Sequence, residues 1–456
     1  MNLARKLKAR AAEGRPVRVG LIGAGKFGSM FLSQVRTTPG MHLYGIADLS
    51  PERARTALTQ TGWDADAAVV RDFETARRTG GTVLTDDASA LIAAEGLEVI
   101  VDATGSPAAG IRHALEAIAN GRHVVMVTVE ADVLAGPLLA QKANAAGVVY
   151  AAAFGDQPAL VCEMVDWAEA CGFRVIAAGK GTRHLPVFHQ STPDTVWDNL
   201  AISPEMAQAG GMNPQMFNSF VDGTKSAIEM AAISNMTGLK APRDGLLFPP
   251  CGVDDLPRIL RPVSDGGVLE EAGMVEVVSS LETDGRPVFR DLRWGVYVVL
   301  AADPSSRGDY ARRCFREYGM VTDPSGRYTA LYRPYHLIGM ELGISVAAAA
   351  LRNEATGTAI GFFSDVAATA KRTLAAGEVL DGEGGYTVYG RIMRAEDSLA
   401  QGALPIGLAH HVRLKRALAP GAVVRWDDVE IADSPAVQVR REMEAAFSPV
   451  THKRTA

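Results

Sequence analysis

The chain has 456 residues, of which 47% are hydrophobic and 21% charged, and its net charge is −6. This length allows two or three domains with large buried cores, and the composition is that of a globular α/β protein. The acidic balance argues against nucleic-acid binding, which needs concentrated lysine and arginine. No apolar run of about 18 residues predicts a membrane span.

Four cysteines are scattered along the sequence, without a C-x-x-C pair or histidines at zinc spacing. This pattern indicates neither a disulfide framework nor a metal site. We therefore expect a cytoplasmic protein with reduced thiols and no bound metal.

From Val17 onward, β-rich runs alternate with helical stretches. Strands are predicted at 17–22, 42–48, 97–104, 123–129 and 148–153. Such alternation is typical of a doubly wound parallel sheet. We predict a Rossmann dinucleotide-binding domain over residues 1–156.

The pattern then loosens, and an α+β substrate or dimerisation domain is predicted over 157–360. Beyond Gly361 two similar segments occur, at 370–381 and 413–431, each with a basic start, a glycine turn and a β-rich end. This duplication predicts a small pseudo-symmetric β-rich module over 361–456.

A glycine-rich loop directly follows the first predicted strand. Its glycines suit a tight turn, close approach to a pyrophosphate, and close helix packing, and the following helix offers N–H groups to the phosphates. The predicted cofactor loop comprises Gly23, Gly25, Lys26, Phe27 and Gly28.

Asp48 ends the second predicted strand, where a carboxylate can accept hydrogen bonds from the adenosine ribose. This favours NAD(H), while Arg53 and Arg55 leave NADP(H) open. A second cofactor-lining loop is predicted at Ala103, Thr104 and Gly105, at the carboxyl edge of the sheet.

Hydride transfer needs a group that handles the proton of the hydroxyl or carbonyl. Lys180, which directly follows a β-rich run, is the first candidate for acid/base or oxyanion chemistry, with a surface turn lysine as the alternative. Asp222, Lys225 and Glu229 recur at helical spacing in an apolar, largely buried stretch, so we interpret them as catalytic, although a solvated ion-paired face has the same pattern.

Substrate-binding roles are predicted for four further residues. Arg333 can hold a carboxylate or phosphate, and His336 stands beside it before an apolar helix. Glu130 and Asp156 are expected at the carboxyl ends of strands, where either could orient a catalytic lysine.

The runs VGLIGAGKFG, DATGSP, MVTVEADV, AGKG, DGTKSAIEMAAISNMTGL and RPYHL, with the duplicated C-terminal segment, resemble homoserine dehydrogenase-like oxidoreductases that carry a C-terminal SAF domain. Within that family the resemblance is to deoxyxylulose-5-phosphate reductoisomerase-like enzymes of isoprenoid biosynthesis. It implies a homodimer, NADPH use and an active site between the Rossmann and central domains.

The leading hypothesis is an NAD(P)-dependent oxidoreductase that acts on a small polar hydroxy or keto compound, which the resemblance suggests is phosphorylated. A homoserine, sugar-acid or polyol dehydrogenase is the alternative within the same class. A non-catalytic sensor that binds a dinucleotide belongs to a different class, and buried charges at 222–229 argue against it.

Overall fold

The computed structural model describes residues 2–209 and 212–448. These residues form two compact units. The first comprises 2–160, 337–360 and 438–443, and the second comprises 161–336, 361–437 and 444–448. The expected domain limits at 156 and 360 therefore stay a prediction. Within the described residues no helix is long and apolar enough to cross a membrane.

The strands, in chain order, are β1 (Val17–Ile22), β2 (Met41–Ala47), β3 (Val69–Val70), β4 (Thr82–Thr85), β5 (Val99–Asp102), β6 (His123–Met126), β7 (Tyr150–Ala152), β8 (Arg174–Thr182), β9 (Met274–Ser279), β10 (Val296–Ala301), β11 (Tyr328–Arg333), β12 (Ser364–Ala370), β13 (Val379–Asp381), β14 (Val388–Arg394), β15 (His410–Leu414) and β16 (Val429–Glu430).

The α-helices are α1 (Leu3–Ala12), α2 (Lys26–Val35), α3 (Pro51–Gln60), α4 (Ala65–Ala68), α5 (Phe73–Thr79), α6 (Ala88–Ala93), α7 (Pro107–Ala119), α8 (Val129–Ala145), α9 (Gln157–Ala170), α10 (Val196–Leu200), α11 (Pro204–Ala209), α12 (Pro214–Val221), α13 (Thr224–Thr237), α14 (Leu256–Ile259), α15 (Asp309–Glu317), α16 (Gly343–Arg352), α17 (Ala395–Gln401) and α18 (Pro435–Ala446).

The first unit is built on a seven-stranded parallel sheet in the order β3-β4-β2-β1-β5-β6-β7. This confirms the predicted doubly wound fold, and the five predicted strands correspond to β1, β2, β5, β6 and β7. The strand order reverses between β1 and β5, which places the loops after these strands at the crevice where such sheets bind ligands. Two short strands, β3 and β4, were not predicted.

The second unit contains a four-stranded sheet in the order β11-β10-β8-β9. Strand β10 runs antiparallel to both β8 and β11, whereas β8 and β9 are parallel. The long helix α13 packs against β9 on one side and against β12 and β14 on the other. Twelve of its 14 residues are buried, as its apolar sequence predicts.

The C-terminal strands form two small antiparallel sheets, β12-β14 and β13-β15-β16. The duplicated segments pair with each other in a symmetric way. Leu374 and Leu418 exchange N–H···O hydrogen bonds of 3.0 and 2.9 Å, and Gly377 N–H and Gly421 N–H donate to Leu414 O and Ala370 O at 2.8 Å each. This reciprocal pairing relates the two copies by a local pseudo-twofold axis. The two sheets confirm the predicted β-rich character of the C-terminal region, while its limits as a separate module stay a prediction.

Candidate active site

The glycine-rich loop has the shape that a dinucleotide needs. Gly23 adopts φ +95°, and a Cβ atom there would lie 2.6 Å from Ala103 O, while a Cβ on Gly28 would overlap Gly23 O. By contrast, a Cβ on Gly25 would meet nothing within 4 Å. Packing therefore explains the first and third glycines, and the second faces space that a pyrophosphate can occupy.

Helix α2 begins at this loop, and its N-cap residue Gly25 has no side chain to cap the first turn. The N–H groups of that turn are therefore available to an anion. Lys26 is exposed beside them, whereas Phe27 packs partly buried against the apolar core of the unit. Phe27 can therefore contact a cofactor through its backbone rather than its ring.

Asp48 lies just after β2, and its carboxylate is hydrogen-bonded and ion-paired within the protein. It accepts hydrogen bonds from Ala24 N at 2.8 Å and Ser50 N at 2.9 Å, and the Arg53 guanidinium pairs with it at 2.7 Å. Although burial raises the pKa of this carboxyl, the hydrogen bonds from Arg53, Ser50 and Ala24 lower it overall. Asp48 thus anchors the glycine loop, while Arg53, whose side chain is 57% exposed, can reach a ribose phosphate.

The second cofactor loop is fixed by a buried network around Asp102, the last residue of β5. Asp102 Oδ1 accepts hydrogen bonds from the hydroxyls of Thr104 and Thr128 at 2.9 and 3.0 Å. Its other oxygen lies 2.7 Å from His113 Nδ1, and Gly105 N donates to Thr128 at 3.0 Å. His113, for which no role was predicted, therefore helps to orient this loop through Asp102.

Glu130 and Asp156, both predicted to bind substrate, belong to the first unit. Glu130 does not lie at a strand end, and Asp156 accepts a hydrogen bond from its neighbour in the chain. Strand β6 ends at Met126, so Glu130 lies in the first turn of α8 and not at a strand end. A carboxylate in that position is stabilised by the helix dipole. Asp156 is buried just before α9, and its Oδ1 accepts from Gln157 N at 2.9 Å.

In the second unit, Lys180 and Glu229 form a buried ion pair. Lys180 lies inside β8 rather than after the β-rich run. A Cβ on Gly179 would overlap Glu276 O, and one on Gly181 would overlap Leu292 O. The two glycines of the G-K-G sequence therefore let other backbone segments approach β8 closely, while the Lys180 side chain pairs with Glu229 of α13.

Asp222 belongs to a second buried ion pair, with Lys371 of the C-terminal module at 2.8 Å. The Lys371 ammonium also donates to Ser191 O at 2.7 Å and to Gly385 O at 2.6 Å. Asp222 Oδ1 accepts from Thr224 N at 2.9 Å. Lys371 is thus a buried counterion held by two backbone carbonyls, and it was missed because its sequence looks like that of exposed Lys415.

The expected single helix face carrying Asp222, Lys225 and Glu229 is not formed. Gly223, at φ +90°, caps α13, so Asp222 lies before the helix, and the two carboxylates pair with lysines from other elements. The reason is that buried carboxylates need close countercharges, which tertiary neighbours supply here. Lys225 remains partly exposed in the first turn.

Arg333, the last residue of β11, lies in register with Lys180. Both residues pair with Val296 of β10, the strand that lies between β8 and β11. Directly opposed residues of antiparallel strands project to one face, so the two residues share a face of the sheet, with their Cα atoms about 10 Å apart. His336 lies beyond the strand, and its Nδ1 donates to Trp294 O at 2.8 Å.

Two family sequence models match the chain. Residues 23–152 match the NAD-binding domain of homoserine dehydrogenase, and residues 155–342 match the catalytic domain of oxidoreductase DRL. These matches confirm the expected NAD(P)-binding domain and the expected oxidoreductase domain. Neither of the two extends into the C-terminal module, so its SAF character stays a prediction.

Comparison with curated protein sequences finds no match. Among solved structures, myo-inositol dehydrogenase from Lactobacillus casei, in complex with NAD(H) and myo-inositol, is 15% identical over 40% of this chain, with a TM-score of 0.27. The chain spans half the length of that protein. At such scores the likeness carries no argument about function.

Two longer alignments are to a probable dehydrogenase from Thermotoga maritima and to an NAD binding oxidoreductase from Klebsiella pneumoniae. The first is 13% identical over 72% of this chain and 85% of the other, with a TM-score of 0.35. The second is 15% identical over 72% and 68%, with a TM-score of 0.32.

Proposed function

We propose that the protein is an NAD(P)-dependent oxidoreductase acting on a small polar hydroxy or keto compound with an anionic end, of the class of deoxyxylulose 5-phosphate. The observation that carries the proposal is the buried Lys180–Glu229 pair, which lies in the segment that matches an oxidoreductase catalytic domain. A paired buried lysine is a costly feature that functional sites retain.

The glycine loop, the N-terminus of α2 and the loop after β5 would hold the dinucleotide, which supplies or accepts the hydride. Lys180 would donate a hydrogen bond to the substrate oxygen. In reduction, the carbonyl carbon would gain the hydride of the reduced dinucleotide and the oxygen would gain a proton from the Lys180 ammonium, which Glu229 keeps in place.

Arg333 supports an anionic end on the substrate. Its register with Lys180 supports this role, because both residues project to the same sheet face with their Cα atoms about 10 Å apart. A guanidinium binds a phosphate or carboxylate in a bidentate manner. A five-carbon sugar phosphate with a carbonyl at one end has both groups that this pair of cations would hold.

The cofactor is proposed to be either nicotinamide dinucleotide, because Asp48 is bonded within its own loop and Arg53 stays accessible. We also propose that the protein works as a cytoplasmic homodimer, as the resemblance implies.

The test is a titration of the pure protein with NADH and NADPH, followed by turnover assays on deoxyxylulose phosphate, homoserine, sugar acids and polyols. We expect Lys180→Met to lower kcat by about 100-fold or more while cofactor affinity is unchanged. Lys240→Met is the matched control, because Lys240 pairs with Glu271 at 2.6 Å on the surface.

Unchanged turnover in both Lys180→Met and Glu229→Gln would refute the catalytic role of the pair. Turnover of another compound, but not of deoxyxylulose phosphate, would refute the substrate class and leave the hydride transfer standing.

A further inference from the structure

A cavity of about 250 Å³ lies in the second unit, beside Asp222. Its walls are the start of α13, the loop 244–248 and strand β14. Both the central segment and the C-terminal module therefore contribute to it. None of its lining residues was predicted as a site residue from the sequence.

Arg391 is the cation of this cavity. Its Nε atom is buried and makes no hydrogen bond within the described part of the chain. The carboxylate that pairs with it, on Asp244, is 3.8 Å from Nη2 and belongs to a side chain that is 99% exposed. The Arg391 side chain as a whole is 28% exposed, and within the described residues its countercharge is this distant carboxylate, so its guanidinium can pair with a ligand that brings an oxyanion.

His189 supplies a hydrogen-bond acceptor. Its Nδ1 lies 2.8 Å from the backbone oxygen of Asp222, so the proton resides on that nitrogen and Nε2 has a free lone pair. Burial lowers the pKa of His189, which keeps the ring neutral near pH 7. The ion pair of Asp222 with Lys371 holds the accepting carbonyl in place.

The walls are aromatic and preformed. The ring of Tyr389 stacks on His189 with centroids 4.8 Å apart, and Phe248 stacks on His184 at 3.9 Å. The buried Glu276 carboxylate accepts from Leu247 N at 3.1 Å and so fixes the loop that carries Phe248. A small ligand therefore meets an organised pocket, which lowers the entropic cost of binding.

We propose that this cavity binds a small hydroxylated molecule that carries an oxyanion, with Arg391 pairing the anionic group and His189 accepting a hydroxyl. The aromatic faces suit the C–H faces of a sugar-like carbon chain. The inference is independent of the proposed hydride transfer, because binding at Arg391 can be measured without turnover.

The experiment follows the imidazole signals of the full-length protein, labelled with [13C]histidine, by NMR. NADPH is present at saturation so that the glycine loop is filled. The probes are glycerol 3-phosphate, glycerate and uncharged glycerol, and the His189 signal is assigned with His189→Gln. A larger effect of the first or the second probe identifies phosphate or carboxylate as the favoured anion.

We expect the anionic probes, and not glycerol, to shift the His189 signal in a saturable way. Arg391→Met should weaken this binding about tenfold or more. Arg372→Met is the matched control, because Arg372 lies in the same module but is exposed and pairs with Glu378, and this variant should bind like the wild type.

Arg391→Lys is a second variant, for the case that Arg391→Met does not fold. Lysine keeps the positive charge but lacks the bidentate guanidinium, so this variant should bind the anionic probes more weakly than the wild type. The proposal is overturned if neither anion moves the His189 signal, or if the folded Arg391 variants bind the probes as the wild type does.

Discussion

The two copies of the duplicated C-terminal segment have the same backbone pairing but opposite side-chain environments. Lys371 and Lys415 hold equivalent positions. Lys371 directly follows Ala370, whose carbonyl accepts a hydrogen bond from Gly421 N–H, and Lys415 directly follows Leu414, whose carbonyl accepts one from Gly377 N–H. Lys415 is exposed to solvent, whereas Lys371 is buried against Asp222.

The difference shows how a repeat can keep its fold while one copy becomes part of another site. Backbone hydrogen bonds between the copies set the module, and these do not depend on the lysines. The neighbouring segment decides the environment of each side chain, because Lys371 of the first copy lies against Asp222, just before α13, whereas Lys415 of the second copy faces solvent.

The largest expected effect is that of Lys371→Met compared with Lys415→Met. Removing Lys371 leaves the buried Asp222 charge without compensation, which should lower the free energy of unfolding by about 3 to 5 kcal/mol. The same change at Lys415 should alter it by less than about 0.5 kcal/mol. Urea denaturation measures both.

Adding Asp222→Asn to Lys371→Met removes the orphaned charge and should recover about half of the loss. Equal effects at the two lysines would show that burial beside Asp222 does not distinguish the copies.

The buried carboxylate of Glu276 gives a second test of how burial acts on a charged side chain. Burial raises the pKa of Glu276 from 4.5 to about 7, although backbone N–H groups partly oppose this. The folded state then holds this proton more tightly than the unfolded state, so the stabilisation is complete below pH 4.5 and is lost as pH rises through about 7.

Relative to Glu276→Gln, the wild type should therefore lose on the order of 3 kcal/mol of unfolding free energy across that range. Chemical denaturation of both proteins at several pH values tests this. Parallel stability curves for the two proteins would contradict it.

The smallest effects should be equal in the two copies. Gly377 and Gly421 adopt φ of +86° and +77°, and a Cβ at either position would meet nothing within 4 Å. Each Gly→Ala change should therefore cost about 1 to 2 kcal/mol through backbone strain alone. Thermal denaturation measures both variants. A large difference between their melting temperatures would contradict the equivalence of the two backbone positions.

Much of the first unit could be predicted because its signals are local. The glycine loop, Asp48 and the loop at 103–105 each follow a strand directly, and parallel strands bring their carboxyl ends to one edge. The short strands β3 and β4 were missed because each lies in a short apolar stretch next to polar residues, unlike the longer apolar runs that contain β5, β6 and β7.

The second unit was predicted less completely. Lys180 and Glu229 were both singled out, but their pairing was not, and Asp222 was placed on a helix that begins after it. Lys371, His189 and Arg391 gave no signal, since one lysine, histidine or arginine in a polar stretch looks like any exposed residue.

The sequence alone determined the doubly wound sheet, the dinucleotide loop, the buried character of α13 and the duplicated module, because each rests on periodicity or on adjacent residues. Only the tertiary structure decided which lysine compensates which carboxylate and which arginine faces a cavity. The physical reason is that desolvation makes a buried charge depend on its spatial neighbours, and elements distant in sequence supply those neighbours.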